Sequence, residues 1–310
     1  MDAKLISDIY IMIPVDISKR QKVLTEISIP DYIMAYLDKM KINSEYECDK
    51  KISKTICREY LGSYKFTFMD DSYEQVLITL DVDLILTKHK STDLGLLSLF
   101  FKNNINDITQ LEDQMSSKHL YLLINDTKVE VCDFISSFFG LNQCGDEKIL
   151  ICLNKKPNTE LELCYLLAAE SYNSVHIDYK IMSDDIMNAA KNNLAEYDFY
   201  ESYASETCLV YISDKITVNY MDNIEIEAAI IFIFEIVMLQ NSAISRTNQR
   251  IVDELTDNID ISLKTIEKMY VEFGRTIILW DKNIFNYSLA QKLANKIYTA
   301  FGNEELLNEY

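Results

Sequence analysis

Glycine and proline are scarce, six and three in 310 residues. Loops that cradle a phosphate on bare backbone need glycine, and the chain holds no GxGxxG, GxxxxGK[ST] or GxSxG pattern. Common nucleotide hydrolases and dinucleotide enzymes are thereby disfavoured. Histidine occurs three times, at 89, 119 and 176. None stands in an HxxxH spacing or a Cys/His cluster, so each reads as a strand-end or surface residue rather than a metal ligand. The seven cysteines form no CxxC pair, and Cys152 and Cys164 lie in apolar runs where a thiol serves as a small core residue. A reducing, cytoplasmic setting fits that usage. Near the N-terminus, Asp2, Lys4 and Asp8 surround a short apolar run ending at Pro14, which is not the layout of a signal peptide.

Positive charge is also in deficit: 30 Lys and Arg face 49 Asp and Glu, a net charge of -19. An acidic surface repels a nucleic-acid backbone or an anionic membrane, so neither is expected as the main partner. The densest basic stretch, Lys50, Lys51, Lys54 and Arg58, reads as a solvated helix face. The acidic surplus suits solubility or divalent cations. Hydrophobic residues at 48% and charged residues at 25% are ordinary for a folded chain.

The expected fold is α/β (α+β), a mixed sheet flanked by helices and followed by a long-helix C-terminal arm. Strands are expected at 9–15, 63–69, 75–80, 83–89, 94–101, 119–125, 148–153 and 208–212. Helices are expected at 29–40, opening on Pro30 and Asp31, and at 105–116, 129–139, 160–170 and 183–193. Near residue 220 the character changes. From 221 to 310 there is no proline or cysteine, and only Gly274 and Gly302. The domains are therefore read as 1–218, an α/β domain, and 219–310, a long-helix arm.

Asp222 is placed to cap a helix in which Ile226, Ile230, Ile233, Val237, Ile244, Ile251 and Leu255 form a stripe of about 35 residues, roughly 50 Å. So long a helix outgrows the domain it starts from. Residues 228–239 (AAIIFIFEIVML) are the most apolar run. They are too few for a bilayer, which needs about 20 residues, and they carry Glu235, so they read as a buried core helix. Further helices are expected at 261–279 and from 287 to 298 or beyond.

Two acidic arrangements carry possible chemistry. Asp81 and Asp83 flank Val82 between two expected strands, with Lys88 nearby; an extended segment would point both carboxylates one way, as in a metal-dependent nuclease. Solvated turn residues are the plainer reading. On the long helix, Asp253 and Asp257 stand four apart with Asp260 following, a repulsive spacing that a divalent cation or a neighbour's basic group would relieve. Exposure at a helix end is the plainer reading here.

Several segments together resemble the cytoplasmic part of the CorA-like family of divalent-cation channels. Residues 92–103 (TDLGLLSLFFKN) are similar to the glycine-centred strand of bacterial members. Residues 235–246 (EIVMLQNSAISR), 270–275 (YVEFGR) and 286–298 (NYSLAQKLANKIY, with Gln291 and Tyr298) are similar to their glutamine-containing helix, aromatic segment and stalk. Order and spacing agree over 92–310. The family's Gly-Met-Asn motif and its two C-terminal transmembrane helices do not occur in this sequence.

The resemblance implies an α/β sandwich followed by long helices, a cytoplasmic location, homo-oligomers, and regulation by Mg²⁺ at acidic subunit contacts. Asp253 and Asp257 are the metal-site candidates from the residues alone. The leading expectation is a non-enzymatic cytoplasmic sensor or gating domain that responds to divalent cations, with no catalytic residues and no cofactor besides Mg²⁺. A second is a sensor on the same scaffold that binds a nucleotide-type messenger or a protein and drives a membrane effector, for example in bacterial defence. A third is a metal-dependent hydrolase built on Asp81, Asp83 and Lys88.

Overall fold

The computed structural model describes residues 6–20, 27–48, 50–69, 76–102, 120–124, 127–168, 183–195, 200–213, 220–257, 267, 270–271, 274–276, 279, 281 and 283–308. Among these the chain runs β1 (Ile6–Asp16), α1 (Asp31–Glu47), α2 (Lys50–Ser53), β2 (Ile56–Met69), β3 (Val76–His89), β4 (Leu94–Lys102), β5 (Leu120–Ile124), β6 (Thr127–Glu130), α3 (Val131–Phe139), β7 (Asn142–Gln143), β8 (Lys148–Leu153), α4 (Glu160–Leu167), α5 (Asp184–Lys191), β9 (Tyr200–Ala204), β10 (Cys208–Ser213) and α6 (Tyr220–Asp257). Two further helices follow, α7 (Ser288–Ala300) and α8 (Asn303–Asn308).

The strands form one mixed sheet in the order β6-β5-β2-β3-β4-β1-β8-β10-β9, with β7 paired to β1. β8 and β10 are parallel, and the other pairs are antiparallel. Strand β1 lies in the middle, between β4 and β8, with Ile9 opposite both Phe101 and Ile151. A strand covered on both faces has no polar side, which is why β1 reads as a nearly continuous apolar run. Its Ile9, Ile11 and Ile13 face α3, α4 and α5, whereas Tyr10 and Met12 face α1, α6 and α7. The α/β fold with helices on both faces and a long C-terminal helix is thus the observed one.

The expected break between 75–80 and 83–89 does not exist. β3 is one strand of 14 residues paired to β2 through Asp81 and Asp83. The reason is tertiary: Asp83 is buried, and its carboxylate accepts hydrogen bonds from the hydroxyls of Tyr32 (2.7 Å) and Tyr60 (2.8 Å). With its charge so satisfied, the residue needs no turn. The expected helix at 105–116 and most of that at 261–279 lie outside the described residues.

Helix α6 is 38 residues long. Its window Ile226–Asn248 has a mean hydropathy of 1.7, long and apolar enough to cross a membrane by composition, and 89% of that window is buried inside the molecule. An all-round apolar helix of this kind is a core helix. Phe232, Phe234 and Ile236 are fully buried, each contributing about 1.5–3 kcal/mol. Ile236 shares one apolar cluster with Met12 of β1, so the part of α6 between 228 and 244 lies along the sheet.

The C-terminal helices return onto α6. Gln240 donates to the Asp281 carbonyl at 2.9 Å, Asn248 to the Leu306 carbonyl at 3.2 Å, and Asn241 to Asn303. Residues 228–244 of α6 and the inner face of α7 thus share one apolar cluster with the second face of the sheet.

Gly95, centre of the 92–103 motif, sits on β4 opposite Lys88 and Val15. A Cβ there would stand 3.1 Å from both the Thr87 carbonyl oxygen and Ile17 Cγ2. Gly95→Ala is expected to destabilise the protein by about 1–3 kcal/mol, because backbone on one side cannot give way. Urea unfolding measures it; an unchanged midpoint would show that the strand tolerates the methyl group.

Candidate functional site

Helix α1 lays Ile33 and Met40 into the core and leaves Lys41 and Glu45 on its outer side. After Cys48 the chain turns through α2 into β2, so the C-terminal half of α1, α2 and the start of β2 enclose a cleft of about 870 Å³. Lys90, just past β3, also lines it. Its backbone N–H donates to the Thr55 carbonyl at 2.7 Å and its ammonium to the Lys54 carbonyl at 3.0 Å.

The lining carries five cations, Lys41, Lys50, Lys54, Arg58 and Lys90, against two carboxylates, Asp38 and Glu45. None of Lys41, Lys50 and Lys54 stands within ion-pairing distance of an acidic group among the described residues. On a chain of net charge -19, this is a local reversal of sign. Tyr46, 64% exposed, adds an aromatic ring to the wall. The basic stretch read as a solvated helix face is thus spread over α2, the turn after it and β2, and Lys41 of α1 and Lys90 after β3 join it.

Arg58 differs from the lysines. It points beneath the cleft into the face that α6 covers, and its side chain is 7% exposed. Its Nε donates to Glu235 Oε2 at 3.1 Å and Oε1 at 3.4 Å, and its Nη2 closes on Oε2. Nη1 reaches the Met40 carbonyl at 3.4 Å, and the guanidinium lies 5.5 Å from the centre of the Phe232 ring. Glu235, fully buried on α6, also accepts from Thr87 Oγ1 at 2.9 Å. Burial works against the Arg58 charge, but the Glu235 carboxylate outweighs it and raises the pKa. One ion pair therefore ties the cleft floor to the middle of the most apolar helix. The lone acid inside AAIIFIFEIVML was the available signal, since a buried charge requires a partner.

The other acids fall elsewhere. Asp81 is exposed and Asp83 is held by its two tyrosines, whose hydroxyl pKa values are raised by burial and then by the bond to Asp83, that of Tyr32 to about 12. Lys88 is turned to the opposite face of β3, where it pairs with Glu59 at 2.7 Å; Arg20 pairs with the same carboxylate. The structure thus does not bring Asp81, Asp83 and Lys88 together.

Asp253 and Asp257 are on the last turns of α6, and their side chains, like Asp260, lie outside the described residues. Among the described residues no three His, Cys, Asp or Glu side chains cluster closely enough to hold a metal ion. His89 is fully buried, with Nδ1 3.0 Å from Thr92 Oγ1, and burial pushes its pKa down to about 4. His119 and His176 lie outside the described residues. All seven cysteines are free thiols.

The stalk-like motif also has a defined place. Gln291 Oε1 accepts from the Phe285 N–H at 3.0 Å ahead of α7, and Tyr298 is buried. Asn286 donates to the carbonyls of Tyr46 (2.9 Å) and Cys48 (2.8 Å), pinning the entry to α7 against the cleft wall. No protein-family model, no curated protein and no solved structure matches the chain.

Proposed function

We propose that this chain is a non-enzymatic sensor domain. Its ligand is a small anion of the nucleotide-messenger type held in the basic cleft, and its output is a change in α6. The observation that carries this reading is Arg58, which lines the cleft and holds Glu235 at the centre of α6. Converging cations within an acidic surface attract and retain an anion, and the field of the surrounding chain discourages adventitious polyanions. A volume of about 870 Å³ lies in the range of small-molecule sites. Within the same proposal the domain acts as a homo-oligomer at the cytoplasmic face of a CorA-like membrane effector, which α6 informs.

Thermal unfolding with a panel of nucleoside mono-, di- and triphosphates, dinucleotides, and Mg²⁺ or Co²⁺ alone tests it. A nucleotide a hundredfold above its dissociation constant should stabilise the fold by about 2.7 kcal/mol. The paired change Lys54→Glu and Lys90→Glu should abolish the rise while leaving the circular dichroism spectrum intact. A rise with Mg²⁺ or Co²⁺ and none with nucleotides would transfer the reading to divalent-cation sensing through Asp253 and Asp257. No rise with any of them would end both.

A further inference from the structure

Arg58 stands at the border of two environments. A guanidinium has five N–H donors. Glu235 and the Met40 carbonyl engage Nε, Nη2 and Nη1 from the core side. The same residue forms part of the cleft wall, which faces solvent and carries four lysines. Glu235 is fully buried and has this cation and the Thr87 hydroxyl as its hydrogen-bonding partners among the described residues. Any anion that draws the guanidinium toward the cleft therefore leaves a carboxylate less compensated inside the helix layer, and the low dielectric there makes that loss large.

We propose that an anionic group in the cleft and the Glu235 carboxylate compete for Arg58, so that ligand binding weakens the Arg58–Glu235 pair and loosens α6 at its centre. This rests on the reading that the cleft binds an anion. Arg58 is then the residue that positions the response, while the lysines supply affinity. Phe232, beneath the guanidinium, limits how far it can swing, so the exchange is a short displacement of one side chain.

Coupling of this kind is reciprocal: whatever factor the ligand takes from the pair, the pair takes from the ligand. Glu235→Gln keeps one oxygen to accept from Arg58 and turns its amide N–H to the Thr87 hydroxyl, which can accept it, but removes the competing charge. Calorimetric titration with inorganic pyrophosphate, and with ATP as the larger probe, is expected to give binding to Glu235→Gln about tenfold tighter than to wild type. Lys54→Glu should weaken binding in both backgrounds by the same factor.

If Glu235→Gln does not fold, the Nε–H resonance of Arg58 in the wild-type protein replaces it, assigned by its loss in Arg58→Lys. Saturating pyrophosphate should move that resonance and speed its exchange with water. Binding by wild type with unchanged affinity in Glu235→Gln, or with an unmoved Arg58 resonance, overturns the competition and leaves the cleft assignment standing. No binding of either probe to wild type overturns both.

Discussion

Glu235→Ala is expected to cost the fold about 3–5 kcal/mol, because it strands a guanidinium whose side chain is only 7% exposed. The cost arises from the remaining charge, not from the loss of an attractive contact. Replacing both partners, as Arg58→Met with Glu235→Leu, should therefore recover most of the stability and can exceed the wild type. Urea unfolding of the single and double variants distinguishes the two sources. If the double variant is as unstable as Glu235→Ala, packing of α6 and not charge compensation sets the cost.

Acidification from pH 7 to pH 4 should remove up to about 3 kcal/mol of stability through His89 alone. Its pKa is pushed by burial from 6.5 down to about 4, and each unit corresponds to about 1.4 kcal/mol. The native state keeps the imidazole neutral, whereas the unfolded chain takes up a proton below 6.5. The contribution is thus complete above pH 6.5, is lost as pH falls toward 4, and is constant below that.

His89→Gln, which can still bond to Thr92, should flatten this part of the profile. Glu59 acts in a lower window. Burial raises its pKa, but the bonds from Arg20 and Lys88 outweigh that and hold it below its ordinary 4.5, so its share disappears only in stronger acid. Urea midpoints at half-unit steps for wild type and His89→Gln measure the difference. Parallel profiles would mean that His89 is accessible to protons in the folded state.

What could be read from the sequence depended on whether the determining partners were local. β8 coincides with the expected strand 148–153 because a short run, apolar from Ile149 to Leu153 and rich in isoleucine, between polar flanks reads as a buried strand. α1 begins at Asp31, as the Pro30–Asp31 pair indicated, with Pro30 as the capping residue. β3 runs unbroken through Asp81 and Asp83, against its local sequence, because Asp83 is satisfied by Tyr32 and Tyr60, 51 and 23 residues away. β9, YESYA, is too polar to announce itself, and only its pairing to β10 makes it a strand.

The candidate site followed the same division. Lys50, Lys54 and Arg58 were visible as a basic stretch, but Lys41 and Lys90 join it only through the fold, and the partner of Arg58 lies 177 residues along the chain. The stripe on α6 was legible, and its length was close to the 38 residues found. Its path along the sheet follows from residues buried all round the helix between 228 and 244, in keeping with the reading of 228–239 as a buried core helix.

Backbone hydrogen exchange along α6, with and without saturating pyrophosphate or ATP, tests most directly whether the cleft and this helix form one device. Faster exchange across residues 232–238 on binding, absent from the Arg58→Met, Glu235→Leu double variant, is the predicted result. Protection confined to the cleft, with α6 unchanged, would contradict the account.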